Sequence, residues 1–200
     1  MAWLKKHWLR VAAHTVGLLP LWLLVWDYVR GQLFFDPVRD VMRRTGHVAL
    51  ALLVLSLACT PIVILSGWKR VMSLRRPLGL YAFLYALLHF LTFAIWDYAL
   101  NLPLLWRAIA YQQFIVPGVI ALLILMILAA TSTKRAQQRL GKRWQWLHRS
   151  VYAAALLVLL HFYWWVKAPG EPLRYAVVIG ILLILRLPVV KLYFKKRVTV

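Results

Sequence analysis

The sequence predicts an all-α polytopic membrane protein, a single domain over residues 1–200 in which six transmembrane helices form a bundle. Hydrophobic residues make up 64% of the 200, and the mean hydropathy is +0.73. Soluble domains carry only about half apolar residues. The net charge is nevertheless +20, because 25 Lys and Arg face five acidic residues. These basic residues flank long apolar runs, so we expect the charge in the loops and the apolar runs in lipid.

Six apolar segments approach the length of about 20 residues that a helix needs to cross the hydrocarbon core. They lie at residues 8–28, 46–67, 77–98, 114–131, 147–166 and 173–190. The first follows basic residues, as in a signal peptide, but its apolar stretch is too long and no small-residue cleavage site follows. We therefore expect a transmembrane helix there. The sequence shows no internal repeat.

Three prolines, Pro20, Pro61 and Pro188, interrupt the apolar runs. They are expected to kink or end helices, which a bundle tolerates where neighbouring groups satisfy the freed carbonyls.

The distribution of basic residues predicts the orientation in the membrane. Lys and Arg are concentrated in both terminal tails, in the turn after the second span and in the long loop before the fifth span. The opposite connections carry fewer, and Asp36, Asp40 and Glu171 balance some of them. Because basic loops stay on the cytoplasmic side, both termini are predicted to be cytoplasmic.

Composition and missing motifs exclude several classes of function. A nucleic-acid-binding protein can be as basic as this chain, but its basic residues form one stripe on its surface. The basic residues of this chain instead border long apolar runs. The single cysteine, Cys59, excludes an internal disulfide and a cysteine-bound metal or iron–sulfur site. No Gly-x-Gly-x-x-Gly motif, nucleophile elbow or phosphate loop is present. The chain has no room for a nicotinamide or flavin domain of its own.

Two histidines, His89 and His161, lie inside predicted spans. Intramembrane ionisable residues are costly, so they are functional candidates by default. At 1.5 Å per residue, they lie about 18 and about 20 Å along the third and fifth spans, which run in the same direction. Two imidazoles at one depth in a bundle are what axial ligation of a b-type haem iron requires. Both are therefore candidate haem ligands.

A third histidine, His148, is predicted near the cytoplasmic face. The helical rotation between it and His161 is about 140°, so one straight helix would not aim both at one point. A kink or two separate sites would reconcile them. Arg75 occupies the position on the third span where a partner for His148 is needed. Arginine stays protonated and is a poor iron ligand, but it pairs well with a haem propionate or a phosphate. A second haem at His148 and another role for this residue both remain open.

The other three histidines have simpler interpretations. His7 is expected in the solvated N-terminal tail, and His14 and His47 near the headgroups, bonded to a carbonyl or water. His47 is also a candidate to line a quinone or partner site.

Several motifs resemble the ferric-reductase-like transmembrane domain family: the six spans, His89 in the third, Thr131-Ser132-Thr133 closing the fourth, and Leu140-Gly141-x-x-Trp144-x-x-Leu147-His148-x-x-x-Tyr152 leading to His161. Within this family the likeness extends to the haem-binding membrane subunits of bacterial periplasmic methionine sulfoxide reductase systems. The segments that carry it are Gly17-Leu18-Leu19-Pro20, Asp36-Pro37-Val38 and Arg43-Arg44-Thr45-Gly46. The likeness covers nearly the whole chain.

The resemblance implies an electron carrier of the bacterial inner membrane. Electrons would pass from the quinone pool or a cytoplasmic flavin reductase to a periplasmic molybdopterin enzyme that repairs oxidised methionine. His89 and His161 would match the outer haem ligands and His148 the inner histidine. Larger relatives carry two histidines in the third span, and Arg75 replaces the inner one. Some relatives also hold FMN, for which this sequence indicates no residues.

Three other functions are weighed against this one. A related redox protein would reduce ferric iron or another acceptor directly. A small transporter would use His89, His161 and Asp97 as a proton path, but the broken helices and inverted repeats common in transporters are not evident in the sequence. In a haem-free scaffold, the histidines would merely form hydrogen bonds across helices.

Overall fold

The computed structural model describes residues 2–32 and 36–187, with side chains from Trp8 onward. These residues form helices and connecting turns, with no strand among them, which confirms the all-α prediction. The helices are α1 Ala2–Val29, α2 Pro37–Ser66, α3 Met72–Thr92, α4 Leu102–Tyr111, α5 Ile115–Ala130, α6 Lys134–Leu140, α7 Lys142–Arg149, α8 Val151–Trp165 and α9 Gly170–Ile184. A 3₁₀ turn, Lys69–Val71, precedes α3, and a π-helix, Phe93–Asp97, follows it.

The first three apolar helices are long enough to cross a membrane. Within the described residues these segments are Trp8–Val29, Pro37–Ser66 and Lys69–Asp97, and α4 with α5 qualifies as a fourth if that pair, bent by 112°, is one span. Most residues of the three long segments are not buried by protein, as expected of helices that contact lipid. Helices α8 and α9 contain 15 residues each. The protein is an all-α membrane protein, and six spans remain a prediction.

Several helix boundaries differ from the predicted ones. Helix α2 begins at Pro37, ahead of the predicted residue 46, because the Asp36 side chain accepts a hydrogen bond from the Arg39 N–H and caps the helix. Helix α3 begins at Met72 and contains Pro77, which was predicted as the start of the span. Helix α9 begins at Gly170, and the predicted end of the sixth span lies outside the described residues.

Helix α4 was not predicted at all, and the fifth span is divided. The Asn101 side chain accepts from the Leu104 N–H and starts α4. The segment predicted as one span from residue 147 consists of α7 and α8, separated by Ser150. Breaks that were not evident in the sequence therefore occur between α4 and α5, which are bent, and between α7 and α8.

The helices form two compact units. In the first, α2 packs along α3, and α1 also contacts α3. Its core includes Ala82, which is fully buried, and Tyr85, whose hydroxyl donates to the Gly17 carbonyl at 2.7 Å. In the second unit, α5 packs against α8. Ala121 and Ala154 are buried there, and such small residues let helix backbones approach closely.

Ion pairs join charged residues near the start of α2. Asp40 pairs with Arg43 at 2.9 Å and with Arg44 at 2.8 Å, while Asp36 pairs with Arg39 at 3.3 Å. The prediction that Asp36 and Asp40 balance neighbouring arginines is confirmed. Arg44 also pairs with Asp27 and so connects α2 to α1.

Pro20 and Pro61, which were predicted to kink or end helices, both lie inside helices. Helices α1 and α2 continue through Pro20 and Pro61, so neither proline ends its helix. Pro188 lies outside the described residues.

Candidate functional site

His89 lies on α3, half-buried, with Nδ1 2.8 Å from the Met42 carbonyl of α2. A carbonyl oxygen only accepts hydrogen bonds, so the Nδ1 of His89 carries the proton and donates. In a neutral imidazole this leaves the lone pair on Nε2. The neighbouring helix therefore selects the tautomer in which Nε2 can bind a metal.

His161 has the same arrangement in the other unit. It lies on α8, and its Nδ1 is 2.7 Å from the carbonyl of Phe114, the residue that precedes α5. The Phe114 ring lies tilted beside the imidazole, with centroids 6.0 Å apart. Here too the donating Nδ1 leaves the lone pair on Nε2.

A glycine lies against each of these imidazoles. A Cβ added to Gly46 would be 3.1 Å from the Nδ1 of His89, and one added to Gly118 would be 2.8 Å from the Nδ1 of His161. In both units the histidine follows its carbonyl partner by 47 residues, and the glycine stands four residues after that partner. Positions 42, 46 and 89 therefore have equally spaced counterparts at 114, 118 and 161.

Hydrogen bonding of this kind fits metal ligation. Metal-binding histidines almost always donate their second ring N–H to a carbonyl, a carboxylate or water, which orients the ring and raises the basicity of the ligand. Among the described residues, no group of three or more His, Cys, Asp or Glu could hold a metal ion. A haem iron takes its equatorial ligands from the porphyrin, so axial imidazoles are all it needs from the protein. His89 and His161, each within its own unit, have the hydrogen bonding expected of such a ligand.

The remaining histidines of the tail and helix ends differ from this pair. His47 Nδ1 donates to the Arg43 carbonyl of its own helix at 2.8 Å, as the carbonyl interpretation predicted. His14 Nδ1 is 2.9 Å from the Tyr81 hydroxyl, where a carbonyl or water was expected. The side chain of His7 lies outside the described residues. In the two bonds just described, the Nδ1 atoms of His14 and His47 therefore do not donate to a carbonyl of another helix, unlike those of His89 and His161.

His148 lies on α7 and stacks on Trp144, with ring centroids 3.9 Å apart and planes 26° apart. Its Nδ1 is 3.2 Å from the Trp144 carbonyl. The Trp144 indole N–H donates to the Thr131 carbonyl at 2.9 Å, which ties α7 to the end of α5. An interruption of the helix at Ser150 separates His148 from His161, and a kink that aims both at one point stays a prediction.

Arg75 lies on α3, half-buried, and its carbonyl accepts from the Ser56 hydroxyl at 2.9 Å. His89 and Arg75 belong to the first unit, and His148 and His161 to the second. The pairings predicted for them, His89 with His161 and Arg75 with His148, therefore stay predictions. Gly46 and Gly118 were not predicted as site residues. Their equal spacing from the two histidines was the signal that identifies them.

Comparison with known proteins identifies a matching family and a similar relative. Residues 45–159 match the family described as "Ferric reductase like transmembrane component", a segment that includes His89 and His148. The protein-methionine-sulfoxide reductase heme-binding subunit MsrQ of Salmonella arizonae is 39% identical over 181 residues, covering 90% of this chain and 91% of the relative. Both matches confirm the resemblance inferred from the motifs. The chain belongs to the ferric reductase-like transmembrane family and, within it, to the MsrQ proteins.

Proposed function

We propose that this chain is a haem b subunit of the bacterial inner membrane that carries electrons to a periplasmic MsrP-like molybdopterin reductase. The donor is the quinone pool or a cytoplasmic flavin reductase. The observation that supports this most strongly is the repeated arrangement of His89 and His161, each donating its Nδ1–H to a carbonyl of a neighbouring helix. Membership of the MsrQ proteins supports the same function.

In this proposal His89 and His161 are the axial ligands of the haem iron. The Met42 and Phe114 carbonyls hold the Nδ1 protons, so both imidazoles present Nε2 in its ligating form. Haem b, when bound, supplies a one-electron carrier. The surrounding helices keep the imidazoles half-buried, away from bulk water.

The bond chemistry belongs to the partner. Reduction of methionine sulfoxide to methionine consumes two electrons and two protons and releases water, so two one-electron transfers complete one turnover. The relative from Salmonella arizonae is a heme-binding subunit of such a reductase. We further propose six spans with both termini cytoplasmic, from the excess of Lys and Arg in the terminal tails and the connections on that side.

A second cofactor position is proposed at His148. Either a second haem is bound there with help from Arg75, whose guanidinium suits a propionate, or His148 serves electron input from quinol or from FMN. No described residue is assigned to FMN. The count of haems per chain distinguishes the two versions.

A redox difference spectrum of the purified protein, with haem measured per chain as the pyridine haemochrome, tests the proposal. We expect sharp low-spin b-type bands in the wild type, and their loss in His89→Ala and His161→Ala. His47→Ala is the matched control, because the Nδ1 of His47 donates to the Arg43 carbonyl of its own helix and this histidine is not a proposed ligand, so the variant should keep full haem. Full haem in both ligand variants would contradict the assignment.

The main alternative is a redox subunit of the same family with another acceptor, such as ferric iron. The family description favours it as the second candidate. Oxidation of the dithionite-reduced protein by ferric citrate, compared with oxidation by a purified MsrP-like reductase and a methionine sulfoxide peptide, separates the two acceptors. A protein without haem would instead favour the transporter or scaffold.

A further inference from the structure

We propose that Gly46 and Gly118 are positioning residues that set the plane and the hydrogen bond of the two ligand imidazoles. This inference rests on the proposed function, because it assigns the glycines a role toward the haem ligands. Neither glycine would contact the iron. Each acts through the histidine that lies against it.

The position of each glycine follows from helix geometry. In an α-helix, the carbonyl of residue i bonds to the N–H of residue i+4, so the residue one turn later lies beside that carbonyl. Gly46 and Gly118 hold this position relative to Met42 and Phe114. The imidazole that donates to each of these two carbonyls lies against residue i+4. A side chain there would block its approach.

The distances agree with this explanation. A Cβ on Gly118 would lie 2.8 Å from Nδ1 and 3.1 Å from both Cε1 and Cγ of His161. A Cβ on Gly46 would lie 3.1 Å from Nδ1, 3.3 Å from Cε1 and 3.8 Å from Cγ of His89. The edge of each ring that carries the donating nitrogen therefore faces the glycine. Both conflicts are with a ring, but the one at Gly118 is tighter.

A methyl group at either glycine would push the ring away from its carbonyl. The Nδ1–H bond would lengthen and the imidazole plane would turn, so the ligand would lose both its orientation and part of its basicity. Loss of such supporting interactions typically lowers metal affinity about 10–100-fold. Because the conflict at Gly118 is tighter, Gly118→Ala should have the larger effect, and Gly46→Ala a smaller effect of the same kind.

Two other glycines provide matched controls. A Cβ on Gly17 would lie 2.4 Å from the ring of Tyr81, an even tighter conflict, but with a side chain that is not a proposed ligand. Gly180 has nothing within 4 Å of an added Cβ. Gly17→Ala therefore tests packing damage alone, and Gly180→Ala tests substitution of a helical glycine in open space.

The experiment measures haem affinity and ligand orientation separately. Haemin is titrated into each apo variant, and the low-spin electron paramagnetic resonance of the haem-bound fraction reports the angle between the imidazole planes. We expect Gly118→Ala to weaken haem binding at least about tenfold and to shift the largest g value, with a smaller change in Gly46→Ala. Gly17→Ala should lower the unfolding midpoint and leave the g values of its bound haem unchanged. Gly180→Ala should match the wild type.

Wild-type affinity and g values in Gly118→Ala would overturn the inference, as would an equal shift in Gly17→Ala. If Gly118→Ala does not fold, the milder Gly46→Ala decides by the same readouts. Full haem in both His161→Ala and His89→Ala would instead refute the proposed function. Loss of haem in those variants with an unchanged Gly118→Ala would refute the positioning role alone.

Discussion

Arg186 donates a hydrogen bond from its guanidinium to the carbonyl of Leu57. That carbonyl is the acceptor that Pro61 leaves without a donor, because proline at position i+4 has no N–H. An arginine that follows α9 thus replaces the missing helical hydrogen bond of α2. Neighbouring groups were expected to satisfy carbonyls freed by proline, and at Pro61 this prediction is confirmed.

Replacing Arg186 with Met should therefore destabilise the protein by about 1–3 kcal/mol, since a buried acceptor loses its donor. In a Pro61→Ala background the alanine N–H can bond to Leu57, so the same substitution should cost clearly less. Unfolding in detergent, followed for both single variants and the double variant, measures this coupling. Equal costs of Arg186→Met in the two backgrounds would show that the arginine acts in another way. Arg39→Met, at a largely exposed side chain, is the control for loss of a cation.

The ion pair of Asp27 with Arg44 should contribute measurably to stability. Both side chains are partly shielded, with 22% and 38% of their surface exposed, and the pair joins two helices. Asp27→Asn is expected to cost roughly 1 kcal/mol, at the upper end for such pairs. Asp36→Asn is the control, since its pair with Arg39 is more exposed and asparagine still caps α2. If both substitutions lower the unfolding midpoint equally, the contact with α1 contributes nothing specific.

The role of His148 is tested by counting haems. If the wild type binds two haems per chain, His148→Ala and Arg75→Gln should each reduce the count toward one. If it binds one, His148→Ala should keep the haem and slow its reduction by the donor. Trp144→Phe is a suitable comparison, because it removes the indole bond to Thr131 and retains the histidine. A His148→Ala protein with unchanged haem count and unchanged reduction rate would assign His148 a structural role only.

The sequence predicted the class of fold and the residues most worth testing, for physical reasons. Apolar runs of membrane length are rare outside membranes, and a histidine within such a run demands an explanation. Helix α4 was missed because its ten residues are too few for a span. Its cap at Asn101 and its proline at position 103 were readable start signals. The interruption at Ser150 carries neither Gly nor Pro, so hydropathy joined α7 and α8 into one segment.

The hydrogen-bond partners of His89 and His161 could not be predicted from residue spacing alone. Helical periodicity shows which residues of one helix share a face, whereas the bonds to Met42 and Phe114 depend on how two helices are set against each other. The recurring 47-residue separation was visible in the sequence. It acquired meaning only once each carbonyl had been identified as an acceptor.

In the most apolar stretch of α1 only 17% of the residues are buried, compared with 39% in that of α2. A helix surrounded by lipid gains little from turning one apolar face rather than another toward its neighbours, since lipid tails are as apolar as leucine. The rotation of α1 about its own axis is therefore fixed by its polar contacts, namely His14 with Tyr81, Gly17 with Tyr85 and Asp27 with Arg44. Lipid surrounds this helix, and these polar contacts of its described residues determine which face it turns toward the protein.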